Sequence, residues 1–136
     1  MDELVLSLRT DRRTYTDLTG AAREFCQSRG SGLLNVFVPH ATAGVAVIEL
    51  GSGTEDDLSA ALERLLPVDD IYRHRHGSYG HGRDHVVPAF VAPSITVPVQ
   101  SGRMRLGTWQ SLVLVDTNRD NPERQVVLSF LASAGE

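Results

Sequence analysis

Strand-like runs follow one another along this chain, often with no helix between them, and this restricts its fold more than any other feature. Leu4, Leu6 and Leu8 alternate with Val5, Ser7 and Arg9, the period of a strand with one covered face. Thr14-Tyr15-Thr16 continues that strand or pairs with it. Leu33 to Val38 is mostly apolar and reads as a strand buried on both faces. Gly44 to Leu50 is a further β-rich run, linked to it by Ala41-Thr42-Ala43. Ser94 to Val99 alternates, Ser101-Gly102 supplies a hairpin turn, and Met104 to Asp116 returns with a break at Gly107. Gln125 to Leu131 is the last strand. Helical signals appear twice. Asp17 caps a helix running to about Arg29 with Gly30 as its stop. Thr54 caps a second, with Asp57 three residues later and Leu58, Ala61, Leu62, Leu65 and Leu66 at helical spacing before Pro67. About seven strands and two helices in this order imply an α+β fold, a single domain over residues 1–136 built on a largely antiparallel sheet or sandwich.

Composition narrows the function classes. At 136 residues the chain is long enough for one sizeable core. A net charge of −4 argues against a broad nucleic-acid-binding face. The single cysteine, Cys26, rules out an internal disulfide, and its helical setting makes it a small core residue. The acidic start, Met1-Asp2-Glu3, precedes an alternating strand rather than an apolar signal core. No apolar run approaches the roughly 20 residues of a membrane span. A cytoplasmic protein without a membrane partner is the expectation.

The histidines carry the functional signal. Of five, four fall between Tyr72 and Val86: His74, His76, His81 and His85. From Val68 to Asp84 there is no periodicity, and a loop of such length in a compact domain tends to be functional or disordered. A short helical turn covers His85 to Val91, with Pro88 tolerated near its start. The fifth histidine, His40, follows the Leu33–Val38 run. Imidazole is the commonest neutral metal ligand and the usual proton carrier near neutral pH.

Five blocks, in order, resemble the YjbQ-like family: Pro39-His40-Ala41-Thr42-Ala43-Gly44; Glu49; Tyr72-x-His74; His85; and Gly102-Arg103-x-x-Leu106-Gly107-Thr108-Trp109-Gln110. The resemblance runs from Leu4 to Leu131, and Gly-Thr-Trp-Gln is its most specific part. That family is often labelled secondary thiamine-phosphate synthase. The resemblance therefore implies condensation of a pyrimidine diphosphate with a thiazole phosphate, and a homotrimer.

Three neutral imidazoles with one open position form the usual catalytic zinc arrangement, so His40, His74 and His85 are the expected ligands of a divalent metal. Zinc is the first expectation, with magnesium as the alternative for a diphosphate substrate. His76 and His81, outside the family blocks, are set aside as extra loop histidines. Glu49 is expected to orient a ligand or act as general base, alongside His40 and His85 as catalytic groups. Relatives usually flank that glutamate with asparagines, where this chain has Ile48 and Leu50. Strand alternation through Gly107-Thr108-Trp109-Gln110 would point Thr108 and Gln110 toward a ligand and Trp109 into the core. Thr42, Arg103, Arg119 and Arg124 complete the expected site for a small phosphorylated metabolite, since arginine grips phosphate in a bidentate manner. Two further readings stay open: a zinc-dependent hydrolase or lyase of a phosphorylated or carbonyl metabolite, and a non-enzymatic metal- or anion-binding module.

Overall fold

The computed structural model describes residues 1–69, 71–74, 77 and 79–135. Its strands form two antiparallel sheets. In the larger, β1 (Asp2–Arg9), β8 (Glu123–Ala132), β3 (Gly32–Phe37), β5 (Ser94–Gln100) and β6 (Arg103–Met104) lie side by side in that order. In the smaller, β7 (Ser111–Asp116) runs between β2 (Tyr15–Asp17) and β4 (Ala43–Ile48). The fold is the α+β single domain that the runs imply, with eight strands among the described residues instead of about seven. The extra one arises because the expected return strand from Met104 to Asp116 is two strands. Its first part pairs with β5 and its second crosses to the other sheet.

Period-two patterning builds the core between the sheets. Leu34 and Val36 of β3, Val97 and Val99 of β5, and Val126, Leu128 and Phe130 of β8 face Ala43, Val45, Leu112 and Leu114 of the smaller sheet. Helix α1 (Thr19–Cys26) closes this core with Ala22, Phe25 and the fully buried Cys26. The opposite face of the smaller sheet carries Val113 and Val115, covered by Leu58 and Leu62 of α2 (Thr54–Leu65). Strand β7 is thus buried on both faces.

Several local expectations are corrected. Strand β3 is buried on one face only. Leu33 and Phe37 are 44% and 41% exposed, because β3 has a core on just one side. Val5 and Leu131 are exposed as well, and the register sets Leu33 opposite Leu131. Strand β2 neither continues nor pairs with β1. Positive φ at Asp11 and Arg12 turns the chain, and β2 joins β7 instead. Helix α1 stops at Cys26, short of Arg29, and Asp17 serves it from outside by accepting the Thr19 N–H at 2.9 Å. Helix α2 is capped not by Thr54 but by Gly53, whose φ of 89° suits glycine alone. The supposedly unstructured stretch before His85 contains the one-turn helix α3 (His81–Asp84). A 3₁₀ turn at Val87–Ala89 holds Pro88, as expected.

Register places the ends of the molecule. Asp116 of β7 lies opposite Ala43, and Ser111 opposite Ile48. A six-residue strand spans roughly 17 Å, so whatever follows Asp116 is well separated from whatever precedes Ser111.

Candidate metal centre

Three histidines meet at the Asp116 end of the smaller sheet. Gly80, at φ 88°, starts α3 and His85 closes it. Side chains four residues apart share a helix face, and the Nε2 atoms of His81 and His85 lie 3.0 Å apart. His74 arrives from the preceding segment, admitted by Gly82. A Cβ there would stand 2.5 Å from the His74 carbonyl oxygen and 2.8 Å from Tyr72 Cβ. The Tyr72 hydroxyl donates to the Pro67 carbonyl at 2.7 Å and anchors this approach. The His74 ring centroid is 4.0 Å from that of His85 and 5.0 Å from that of His81. One potential ligand nitrogen from each histidine lies within 4.8 Å of the other two.

The donor set fits a divalent metal. Zinc–imidazole bonds of about 2.0–2.1 Å at tetrahedral angles put neighbouring nitrogens roughly 3.3 Å apart. The His81–His85 pair stands close to that spacing, and the His74 nitrogen lies within 4.8 Å of both. Imidazole equally suits nickel, copper or iron.

A buried polar network supports the cluster. Asp84, 3% exposed, accepts from the Thr117 hydroxyl at 2.6 Å, Arg83 Nε at 3.1 Å and Asn118 Nδ2 at 3.2 Å. Arg124 donates from Nε to Asp116 Oδ2 at 2.7 Å and from Nη2 to Thr42 Oγ1 at 3.1 Å. Both members of this ion pair are buried. Two of the residues expected to hold substrate, Thr42 and Arg124, are thus engaged with the protein itself. Arg119 is exposed and lies between Asn118 and Asp120, both of which contact His81.

Of the expected metal ligands, the structure brings His74 and His85 together and joins His81 to them. His40 is not in that group. Its Nε2 accepts the Gln125 N–H at 2.9 Å. It lines a separate cleft of about 480 Å³ with Ser7, Arg9, Asn121 and Arg124. Burial, then the Arg124 charge, lowers its pKa below the ordinary imidazole value. The stability drawn from neutral His40 is therefore complete above pH about 6.5 and is lost as pH falls through the depressed folded value. His76 lies outside the described residues. The signal that marks His81 was present in the sequence: two histidines four apart share a helix face, the spacing used by many zinc sites.

The remaining expected site residues gather at the other end of β7. Glu49 follows Ile48 there and makes no hydrogen bond or ion pair among the described residues. Arg103, Thr108 and Gln110 line a cleft of about 490 Å³ together with Arg23 and Gln27 of the α1 end. Gly107 to Gln110 is a turn, not a strand. The Gln110 N–H donates to the Gly107 carbonyl at 3.1 Å, and Gln110 Oε1 accepts the Gly107 N–H at 2.8 Å. Strand alternation does not apply in such a turn, which explains the correction to Trp109. It is 73% exposed, not packed in the core. Trp109→Ala should accordingly change stability by no more than about 0.5 kcal/mol, the usual range for a surface site. Denaturant melts of the two proteins check this; a loss of roughly 3–5 kcal/mol would restore the core assignment.

Comparison with known proteins gives one consistent family. The model described as "UPF0047 protein YjbQ-like" matches residues 4–133. A UPF0047 protein of Mycobacterium tuberculosis is 64% identical over 131 residues, covering 96% of this chain and 98% of the relative. One from Methanothermobacter thermautotrophicus is 36% identical over 114 residues, covering 82% and 79%. Among solved structures, a hypothetical protein of Aeropyrum pernix superposes with a TM-score of 0.87 at 31% identity, covering 98% of this chain and 100% of that one. A YbjQ-like protein of unknown function from Sulfolobus solfataricus has a TM-score of 0.84 at 21% identity, covering 97% and 96%.

Proposed function

The chain belongs to the YjbQ-like UPF0047 family, and on that premise we propose a divalent-metal enzyme of small metabolites whose metal is held by His74, His81 and His85. The convergence of three imidazoles within 4.8 Å carries this reading. A bound divalent ion supplies Lewis-acid polarisation of a phosphoryl or carbonyl oxygen. The chain's own part is to orient the three imidazoles, through α3 and the Asp84–Thr117–Asn118 contacts. Arg119 offers a positive charge to a substrate phosphate.

The donor set favours zinc over magnesium. Magnesium demands octahedral oxygen ligands, whereas the nearby carboxylates Asp84 and Asp116 are already engaged by Thr117, Arg83 and Arg124. That preference supports hydrolysis or lysis of a small phosphorylated or carbonyl metabolite. Formation of thiamine phosphate is the second reading, supported by the family resemblance and by the Arg23–Arg103 cleft.

Protein purified without a histidine tag should contain stoichiometric zinc by elemental analysis. Loading should weaken in acid, because ligating imidazoles must be neutral. Metal-free protein after exposure to excess zinc would sink the proposal. Turnover of model phosphate esters favours the hydrolase; coupling of the pyrimidine diphosphate with the thiazole phosphate favours the synthase. Tight zinc binding with neither reaction identifies a binding module.

A further inference from the structure

We infer that Asp120 is a positioning residue of the histidine centre: through His81 it decides which ring nitrogen is presented to the metal. This rests on the reading of His74, His81 and His85 as metal ligands. His81 Nδ1 lies 2.8 Å from Asp120 Oδ2. An ionised carboxylate only accepts, so the bond requires a proton on Nδ1. In the neutral ring that leaves Nε2 with its lone pair, and Nε2 is the atom that stands 3.0 Å from His85 Nε2. Asn118 Nδ2 also approaches His81 Nδ1, at 3.2 Å, but it is a donor and cannot accept the ring proton. It has carboxylate acceptors of its own, Asp84 Oδ2 at 3.2 Å and Asp120 Oδ2 at 3.5 Å.

The carboxylate is aimed by its own loop. Asp116 Oδ1 accepts the Asn118 N–H at 3.0 Å, and Asn118 Oδ1 accepts the Asp120 N–H at 3.0 Å. These two successive side-chain turns carry the chain from the buried Asp116–Arg124 pair to the rim of the centre. The pair is also partly covered. A Cβ on Gly77 would lie 2.7 Å from the His81 ring and 2.9 Å from Asp120 Oδ2. The side chain of His81 is 12% exposed and that of Asp120 34%, so the imidazole end of the bond is sheltered while the carboxylate still meets water. Carboxylates that hold a ligating histidine in this way are worth 10–100-fold in metal affinity.

The test uses the full chain with zinc as the probe. Zinc affinity is measured by chelator competition, the visible spectrum is recorded after cobalt substitution, and the metal-free melting midpoint is determined. Asp120→Asn, nearly the same shape, should weaken zinc about 10–100-fold and change the cobalt spectrum with the metal-free midpoint unmoved. Asp120→Glu should recover part of the affinity. Unchanged affinity and spectrum in Asp120→Asn overturn the assignment of Asp120 alone. Loss of affinity in step with a fallen metal-free midpoint, without recovery by glutamate, overturns it in favour of a structural role. Failure of the unsubstituted chain to take up zinc overturns the centre itself, and this assignment with it.

Discussion

Asp116→Ala should destabilise the fold by about 3–5 kcal/mol, the usual cost of removing one partner of a buried ion pair. For a chain of 136 residues that is a fall in melting midpoint of roughly 10–20 °C. The side chains of Arg124 and Asp116 are 4% and 1% exposed, and the Nε–Oδ2 contact is 2.7 Å. Without the carboxylate, the guanidinium stays buried against Thr42 and Asn118, which bring no negative charge. Asp116 also holds the Asn118 N–H, so the loop leading to Asp120 loses its first tether. Asp116→Asn keeps the shape and an acceptor oxygen, and should fall between the wild type and alanine. Measuring metal-free protein keeps zinc binding out of the comparison. A midpoint shift below about 3 °C for Asp116→Ala would mean that Arg124 reaches water once released, and that the pair organises the loop without stabilising it.

His81→Ala should abolish stoichiometric zinc binding, whereas His40→Ala should retain it. The first removes a ligand and should weaken affinity by more than the 10–100-fold typical of a supporting residue. The second removes an acceptor for the Gln125 N–H, a local loss outside the centre. Elemental analysis and zinc titration of both variants separate two sets of ligands. The sequence blocks point to His40, His74 and His85; the geometry points to His74, His81 and His85. An empty His40→Ala protein beside a loaded His81→Ala protein would restore the first set.

The difference between these two sets shows how far the blocks reach. They contain His40, His74 and His85 but carry no information on which loops approach each other. His81 falls outside those blocks, and the stretch before His85 has no hydrophobic periodicity to mark a helix there. The single turn of α3 is too short to produce one. The spacing of four between His81 and His85 was nevertheless legible. Trp109 departs from its expected core position for a related reason. Alternation holds along a strand, and Gln110 folds back on Gly107 to make a turn instead.

The sequence by itself determined the class of fold, the inward placement of Leu6 and Leu8 on β1 (though not of Leu4, which is exposed), the amphipathic α2, the buried Cys26 and the concentration of histidines between Tyr72 and Val86. All of these depend on neighbours within a few residues, where strand and helix periods act directly. Only the tertiary structure decided that β3 is covered on one face and β7 on both, because that depends on what packs over each sheet. It also separated the residues expected to form one site. His74, His81, His85 and the Thr42–Arg124–Asp116 network lie at one end of β7; Glu49, Arg103, Thr108 and Gln110 lie at the other. The cause is that β4 and β7 each run the length of the smaller sheet, so that residues before and after either strand sit at opposite ends. Residues next to one another in sequence blocks are thereby placed a strand's length apart.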